Sequence, residues 1–100
     1  MLASLEVAET RRARRKGLLG RDGIEGALLI VPARSVHSFG MRFPLDVAWC
    51  DRDLTVVRVA TLAPHRLTRS VLRAHSIVEA EAGSFARWNL TVGDHLEQQD

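Results

Sequence analysis

Residues 37–61, HSFGMRFPLDVAWCDRDLTVVRVAT, decide the fold of this chain because they hold two apolar segments joined by a short polar turn. Apolar side chains alternate along residues 45–50, which is the period of two that is typical of a strand. One face of this strand would carry the first, third and fifth side chains of the segment, and the opposite face the others. Residues 51–53 are all charged, and residues 54–61 return as a second segment rich in valine. The pattern predicts a β-hairpin.

Segments on both sides of this hairpin extend the β pattern. Residues 4–7 alternate between polar and apolar side chains, which indicates a strand with one buried face. Residues 27–31, ALLIV, are apolar throughout, so they predict a strand buried on both faces and closed by Pro32. Residues 76–80, SIVEA, predict a further strand. Residues 62–74 lack clear periodicity, and we expect a loop there.

Two short helices are predicted. Thr10 is placed to cap a helix over residues 11–16, because its hydroxyl can accept a hydrogen bond from an amide of the first turn. The basic residues share one arc of this helix, and small residues that include Gly17 share the opposite arc, which would pack on the sheet. A second helix is predicted over residues 83–88, with Asn89 as a left-handed cap.

Residues 1–100 are therefore expected to form a single domain of the mainly β (α+β) class. Some six short strands with two short helices favour a compact, barrel-like closed sheet, because closure leaves no edge strand exposed. A parallel βαβ layout is the weaker alternative, since neither helix is long.

Composition excludes several classes of protein. Hydrophobic residues make up 46% of the chain and charged residues 26%, which are values of a globular domain. We expect no membrane association, because no apolar run approaches the roughly 18 residues of a membrane span. The first residues lack the order of a signal peptide, so we expect a cytoplasmic protein. Cys50 is the only cysteine, the four histidines are widely spaced and no nucleotide-binding glycine motif occurs. We therefore predict no metal site and no cofactor.

Four stretches of the chain resemble a known family. The segments LEVAET, RARRKGLLGR, HSFGMRFPLDVAWCD and NLTVGD closely resemble a bacterial and archaeal family known as domain of unknown function 192. The resemblance covers nearly the whole chain, and it implies a compact β-rich domain with no assigned biochemical activity. The family usually has glycine where this chain has Leu54 and Asn89. On that comparison we expect a looser hairpin turn at Leu54, whereas asparagine tolerates the left-handed conformation.

The candidate site lies in residues 37–50, where polar and aromatic side chains crowd into an apolar run. An adaptable apolar wall with a few fixed polar groups is typical of small-molecule sites. We therefore predict a shallow cleft for a small molecule or a peptide. The predicted ligand-binding residues are His37, Phe39, Met41, Arg42, Asp46 and Trp49, with Arg21 from outside the segment. The competing interpretation is an ordinary core in which Asp46 accepts backbone amides or the Arg21 guanidinium.

Two alternative functions stay open. In an enzyme, His37 would act as a base oriented by Asp46, but no activated nucleophile accompanies them, so no catalytic residue is assigned. In an adaptor, the basic helix at residues 11–16 would hold nucleic-acid phosphates or an acidic protein. That footprint is short and has no aromatic residue for base stacking, which favours a solvated helix face. We therefore expect no nucleic-acid partner, and the oligomeric state is left open.

Overall fold

A computed structural model describes residues 5–8, 10–17 and 26–97 of the chain. Within these residues the chain forms one sheet with strand order β1-β2-β5-β3-β4. Strands β1 and β2 run parallel, and the other neighbouring pairs run antiparallel. The elements in chain order are β1 Leu5–Ala8, α1 Arg11–Lys16, β2 Ala27–Ile30, β3 Leu45–Cys50, β4 Val56–Leu62, β5 Ser76–Glu81 and α2 Ser84–Trp88.

The sheet is open, so the prediction of a barrel-like closed sheet was wrong. Among the described strands, β1 and β4 each pair on one side only and form the two edges. Every residue of β3 is buried, as is all of β5 except its last residue. Strands that are buried along their whole length need other parts of the chain packed on both faces of the sheet. In a closed barrel, by contrast, the interior face is the buried one. The coarser prediction, a mainly β domain with two short helices, is confirmed. The parallel β1–α1–β2 connection is the one place where the weaker βαβ alternative holds.

Two apolar cores lie on opposite faces of the sheet. We call them the α1 face and the α2 face after the helix that each one carries. The predicted alternation along residues 45–50 is confirmed, because its side chains divide between these cores. The α1 face is built from Ala8, Leu28, Ile30, Met41, Phe43, Leu45, Val47, Trp49, Ala74 and Ile77. The α2 face is built from Ala27, Leu29, Ala48, Cys50, Val56, Val78, Ala80, Phe85, Leu90 and Leu96.

The hairpin of β3 and β4 is confirmed, but its turn is tight where a looser one was expected. Leu54 has a φ of 63°, and its amide donates to the Asp51 carbonyl at 3.0 Å. One carboxylate oxygen of Asp51 also accepts from the amides of Asp53 at 2.9 Å and Thr55 at 3.0 Å. These bonds hold the left-handed conformation at Leu54, and they explain how leucine is tolerated there.

Both predicted helix caps are confirmed. The Thr10 hydroxyl accepts from the Ala13 amide at 3.0 Å, which begins α1. Asn89 ends α2 with φ 54° and ψ 37°, the left-handed conformation expected for it. Ala13 packs on the core of the α1 face, so the small arc of α1 meets the sheet as predicted. Neither described helix is long and apolar enough to cross a membrane.

Candidate functional site

The predicted site segment, residues 37–50, divides between surface and core. Met41 and Trp49 are buried in the core of the α1 face, and the Trp49 indole donates to the Arg34 carbonyl at 2.9 Å. Their side chains form core rather than the wall of an open cleft, which agrees with the ordinary-core interpretation of these two residues. Arg21 lies outside the described residues, so its predicted role stays a prediction.

Asp46 is buried on the α2 face, where its carboxylate receives three hydrogen bonds. One oxygen accepts from the amides of Gly83 at 2.9 Å and Phe85 at 3.0 Å, and the other accepts from the Thr61 hydroxyl at 3.0 Å. Gly83 has no side chain with which to cap α2. Asp46 therefore caps this helix from β3, and the structure does not bring it together with His37.

His37 and Phe39 lie on an exposed loop that a buried serine fixes in place. The Ser38 hydroxyl donates to the Ala63 carbonyl at 2.6 Å and accepts from the Arg66 amide at 2.8 Å. The His37 ring accepts from the Phe39 amide at 3.2 Å, and the two rings stack with their centroids 5.4 Å apart. Both side chains are thus held in defined positions on the surface.

A cleft of about 370 Å³ opens on the α1 face. Arg11 and Arg14 line it from α1, and Gly17 lines it from the end of that helix. Residues 32–37, which follow β2, also line the cleft, as does Glu79 of β5. Of the residues predicted from the sequence, this cleft includes His37.

Glu79 is a carboxyl group in the middle of an apolar sheet face. The residue is 3% exposed, and its cross-strand partners are Leu28 and Val47, both members of the core of the α1 face. None of the described residues forms a hydrogen bond or an ion pair with its carboxyl group. Burial raises the pKa of Glu79 to about 7. A buried, perturbed and unpartnered carboxyl in a cleft is typical of a functional site.

Gly17 brings the end of α1 close to this carboxyl group. Its φ of 49° and ψ of −127° are strained for any residue with a side chain. A Cβ atom at this position would lie 3.1 Å from the Glu79 Oε1 atom. Glycine therefore serves both the backbone turn and the space around Glu79.

Positive charge dominates the walls of the cleft. Three arginines, Arg11, Arg14 and Arg34, are among the residues that line it. Arg34 is fixed in part by a hydrogen bond from its Nε atom to the Ala74 carbonyl at 3.3 Å. Glu79 is the only acidic side chain among the described residues that line the cleft. The arrangement offers an anion several partners at the walls and offers a cation one partner at Glu79.

The sequence pattern predicted the strand that carries Glu79 but did not identify the residue as part of a site. The available signal was one acid inside the apolar run of residues 77–80, where alternation places it on the same face as Ile77. Arg11 and Arg14 were assigned to a solvated helix face, and Arg34 was not singled out. These four residues meet because α1 crosses the α1 face, which no local pattern encodes.

Other chemistry has less support in the described part of the chain. No group of three or more His, Cys, Asp or Glu side chains there is arranged to hold a metal ion. Burial, and secondarily the charge of Asp51, raises the pKa of the Cys50 thiol to about 12. Such a thiol does not supply a thiolate nucleophile at neutral pH.

Comparisons with known proteins agree on the fold and on the family. The family model for domain of unknown function 192, described as "Uncharacterized ACR", matches residues 2–98. A UPF0127 protein from Pyrococcus abyssi (strain GE5 / Orsay) is 29% identical over 98 residues, which cover 93% of this chain and 84% of the relative.

Two crystal structures share the fold. A protein of unknown function from Novosphingobium aromaticivorans DSM 12444 superposes with a TM-score of 0.82 at 22% identity, covering 93% of this chain and 73% of the other. A Sinorhizobium meliloti 1021 protein, provisionally described as a transcription regulator, gives a TM-score of 0.80 at 22% identity, covering 93% and 79%. At this identity the likeness concerns the fold alone.

Proposed function

The chain belongs to the uncharacterised family of domain of unknown function 192, and we propose that it is a small-molecule-binding domain whose site is the cleft on the α1 face. The observation that carries the proposal is Glu79, a largely buried carboxyl group that lines a cleft with basic walls and has no partner among the described residues. Asp46 and Trp49, which the sequence suggested as binding residues, belong to the supporting structure. The proposed site retains His37 and adds Arg11, Arg14, Arg34 and Glu79.

Burial of the Glu79 carboxyl group lowers the stability of the folded chain. Burying a polar group without a compensating hydrogen bond costs about 1–3 kcal/mol in proteins. A leucine at this position would instead pack beside Leu28 and Val47, whose side chains share its face. Stability given up at one position of a cleft is typical of binding sites, where a ligand supplies the missing partner.

The size of the cleft distinguishes between the two partner classes predicted from the sequence. Small-molecule sites occupy roughly 300–1,000 Å³, and this cleft of about 370 Å³ lies near the lower end of that range. Peptides more often bind along extended grooves or sheet edges. The cleft therefore favours a small molecule over a peptide. Phe39 stacks on His37, which lines the cleft.

The nucleic-acid alternative has less support. Arg11 and Arg14 both line the cleft, so part of the basic arc of α1 has a local role. The Sinorhizobium meliloti neighbour is described as a transcription regulator, but its likeness to this chain is one of fold. Phosphate contacts would also require a broader basic surface than this six-residue helix offers.

A metabolite screen monitored by backbone amide NMR tests the proposal. We expect at least one compound to shift the amides of Gly17, residues 33–37 and Glu79. The variant Glu79→Gln should weaken that binding by about tenfold or more, because it removes the charge while keeping the shape. Glu81→Gln is the matched control, since Glu81 lies on the same strand and is exposed. The proposal fails if bound compounds shift only amides outside the cleft, or if the two variants behave alike.

A further inference from the structure

The charged residues of the cleft indicate which class of ligand it would bind. Resting on the proposed function, we propose that the ligand is a small zwitterion of the amino-acid class, with its ammonium group against Glu79 and its carboxylate against the arginines of the walls.

The first step concerns the partner that Glu79 requires. An ionised carboxyl group accepts hydrogen bonds and donates none, so its ligand must supply donors. An ammonium group supplies three N–H donors together with a positive charge, whereas a hydroxyl supplies one donor and no charge. Burial raises the pKa of Glu79 to about 7, so both of its forms are populated at neutral pH. A cation bound beside it favours the charged form.

The second step concerns the walls. Arg11, Arg14 and Arg34 all line the same cleft, and guanidinium groups bind carboxylates through paired hydrogen bonds. A simple amine would be attracted by Glu79 and repelled by the arginines. A simple carboxylate would be attracted by the arginines and repelled by an ionised Glu79. A molecule that carries both charges is attracted by both parts of the site.

The third step concerns the remaining surface of the cleft. Ile30, Pro32, Ala33 and Val36 also line it, and they offer apolar contact close to the charged groups. A cleft of about 370 Å³ has room for an amino acid with a side chain of moderate size. An amino acid with an apolar side chain is accordingly expected to bind, because that side chain would contact these apolar residues.

A titration with matched probes tests the inference. The standard amino acids are first compared at millimolar concentration by the shifts of the cleft amides. The best of them is then compared with three analogues: one lacking the ammonium group, one lacking the carboxylate, and one with hydroxyl in place of ammonium. For valine these probes are 3-methylbutanoate, isobutylamine and 2-hydroxy-3-methylbutanoate.

We expect the amino acid to bind at least about tenfold more tightly than each analogue, because each analogue lacks one of the two charged groups that the amino acid presents to the cleft. Glu79→Gln should remove the preference for the amino acid over the hydroxy acid, and Glu81→Gln should preserve it. Two outcomes would overturn the inference and leave the proposed function standing. In one, the hydroxy acid binds as tightly as the amino acid; in the other, the only metabolites that bind in the cleft are not zwitterions. If no compound of any class shifts the cleft amides, both fail together.

Discussion

Asp46 and Glu79 lie on neighbouring strands of one sheet and point to opposite faces of it. Asp46 pairs with Ala80, and Glu79 pairs with the adjacent Val47. Both carboxyl groups are almost fully buried, with exposed fractions of 6% and 3%. Asp46 accepts three hydrogen bonds, whereas Glu79 accepts none from the described residues. Burial alone therefore does not distinguish a structural acid from a candidate binding residue, but the number of available donors does.

The difference arises from the helix that covers each face. Helix α2 begins beside Asp46 and directs its first amides at that carboxylate. Helix α1 ends beside Glu79 at Gly17, and the end of a helix presents carbonyl groups rather than amides. One face therefore supplies donors to its acid, whereas the described residues of the other face supply none, and we propose that a ligand does so.

Removal of the Asp46 carboxylate should have the largest effect. Asp46→Ala leaves two amides and one hydroxyl without their acceptor, and we expect it to lower the free energy of unfolding by about 4 kcal/mol. Asp46→Asn keeps one acceptor oxygen and should cost about half as much. Urea unfolding followed by tryptophan fluorescence measures both. A cost below about 1 kcal/mol for Asp46→Ala would contradict the structural role assigned to it.

Neutralisation of Glu79 should change how stability depends on pH. The pKa of Glu79 is about 7 in the folded chain, above the value of about 4.3 that glutamate has in an unfolded chain. The folded state thus binds this proton more tightly, and the free energy of unfolding decreases as pH rises from about 4 to 7, by about 3 kcal/mol. Glu79→Gln removes this decrease, so the variant should be the more stable of the two above pH 7.

Urea unfolding at a series of pH values, for wild type and Glu79→Gln, provides this measurement. The difference between the two curves isolates the contribution of Glu79, and Glu81→Gln controls for the loss of one negative charge on β5. A difference that stays constant with pH would show that Glu79 has no raised pKa, and its contrast with Asp46 would then disappear.

Alanine substitution at two glycines tests how closely α1 approaches Glu79. Gly17 and Gly93 both have positive φ, 49° and 97°. An added Cβ would lie 3.1 Å from Glu79 Oε1 at Gly17 but would meet nothing within 4 Å at Gly93. We expect Gly93→Ala to cost about 1 kcal/mol through backbone strain and Gly17→Ala to cost about 2 kcal/mol. Thermal unfolding of the two variants measures these losses of stability. Equal losses would contradict the close contact between Gly17 and Glu79.

Local sequence patterns predicted the elements of this fold better than their assembly. Alternation along residues 45–50 set the two faces of β3, because a period of two is a property of the strand itself. Closure of the sheet was predicted wrongly, since it depends on pairing between edge strands that are distant in sequence. The two amide donors to Asp46 come from Gly83 and Phe85, and the cleft at Glu79 requires α1 to cross the α1 face. Contacts of this kind are absent from any local window.

The hydrogen bonds that Asp46 accepts from the start of α2 also bear on the order in which the chain folds. A helix of five residues is far shorter than the roughly 12–15 residues that an isolated helix needs to be even marginal in water. Its first amides find their acceptor only once β3 has taken its place beside β5. We therefore expect helix α2 to form late, as a product of sheet assembly, and the amides of Gly83 and Phe85 to exchange with solvent only as fast as that part of the sheet opens.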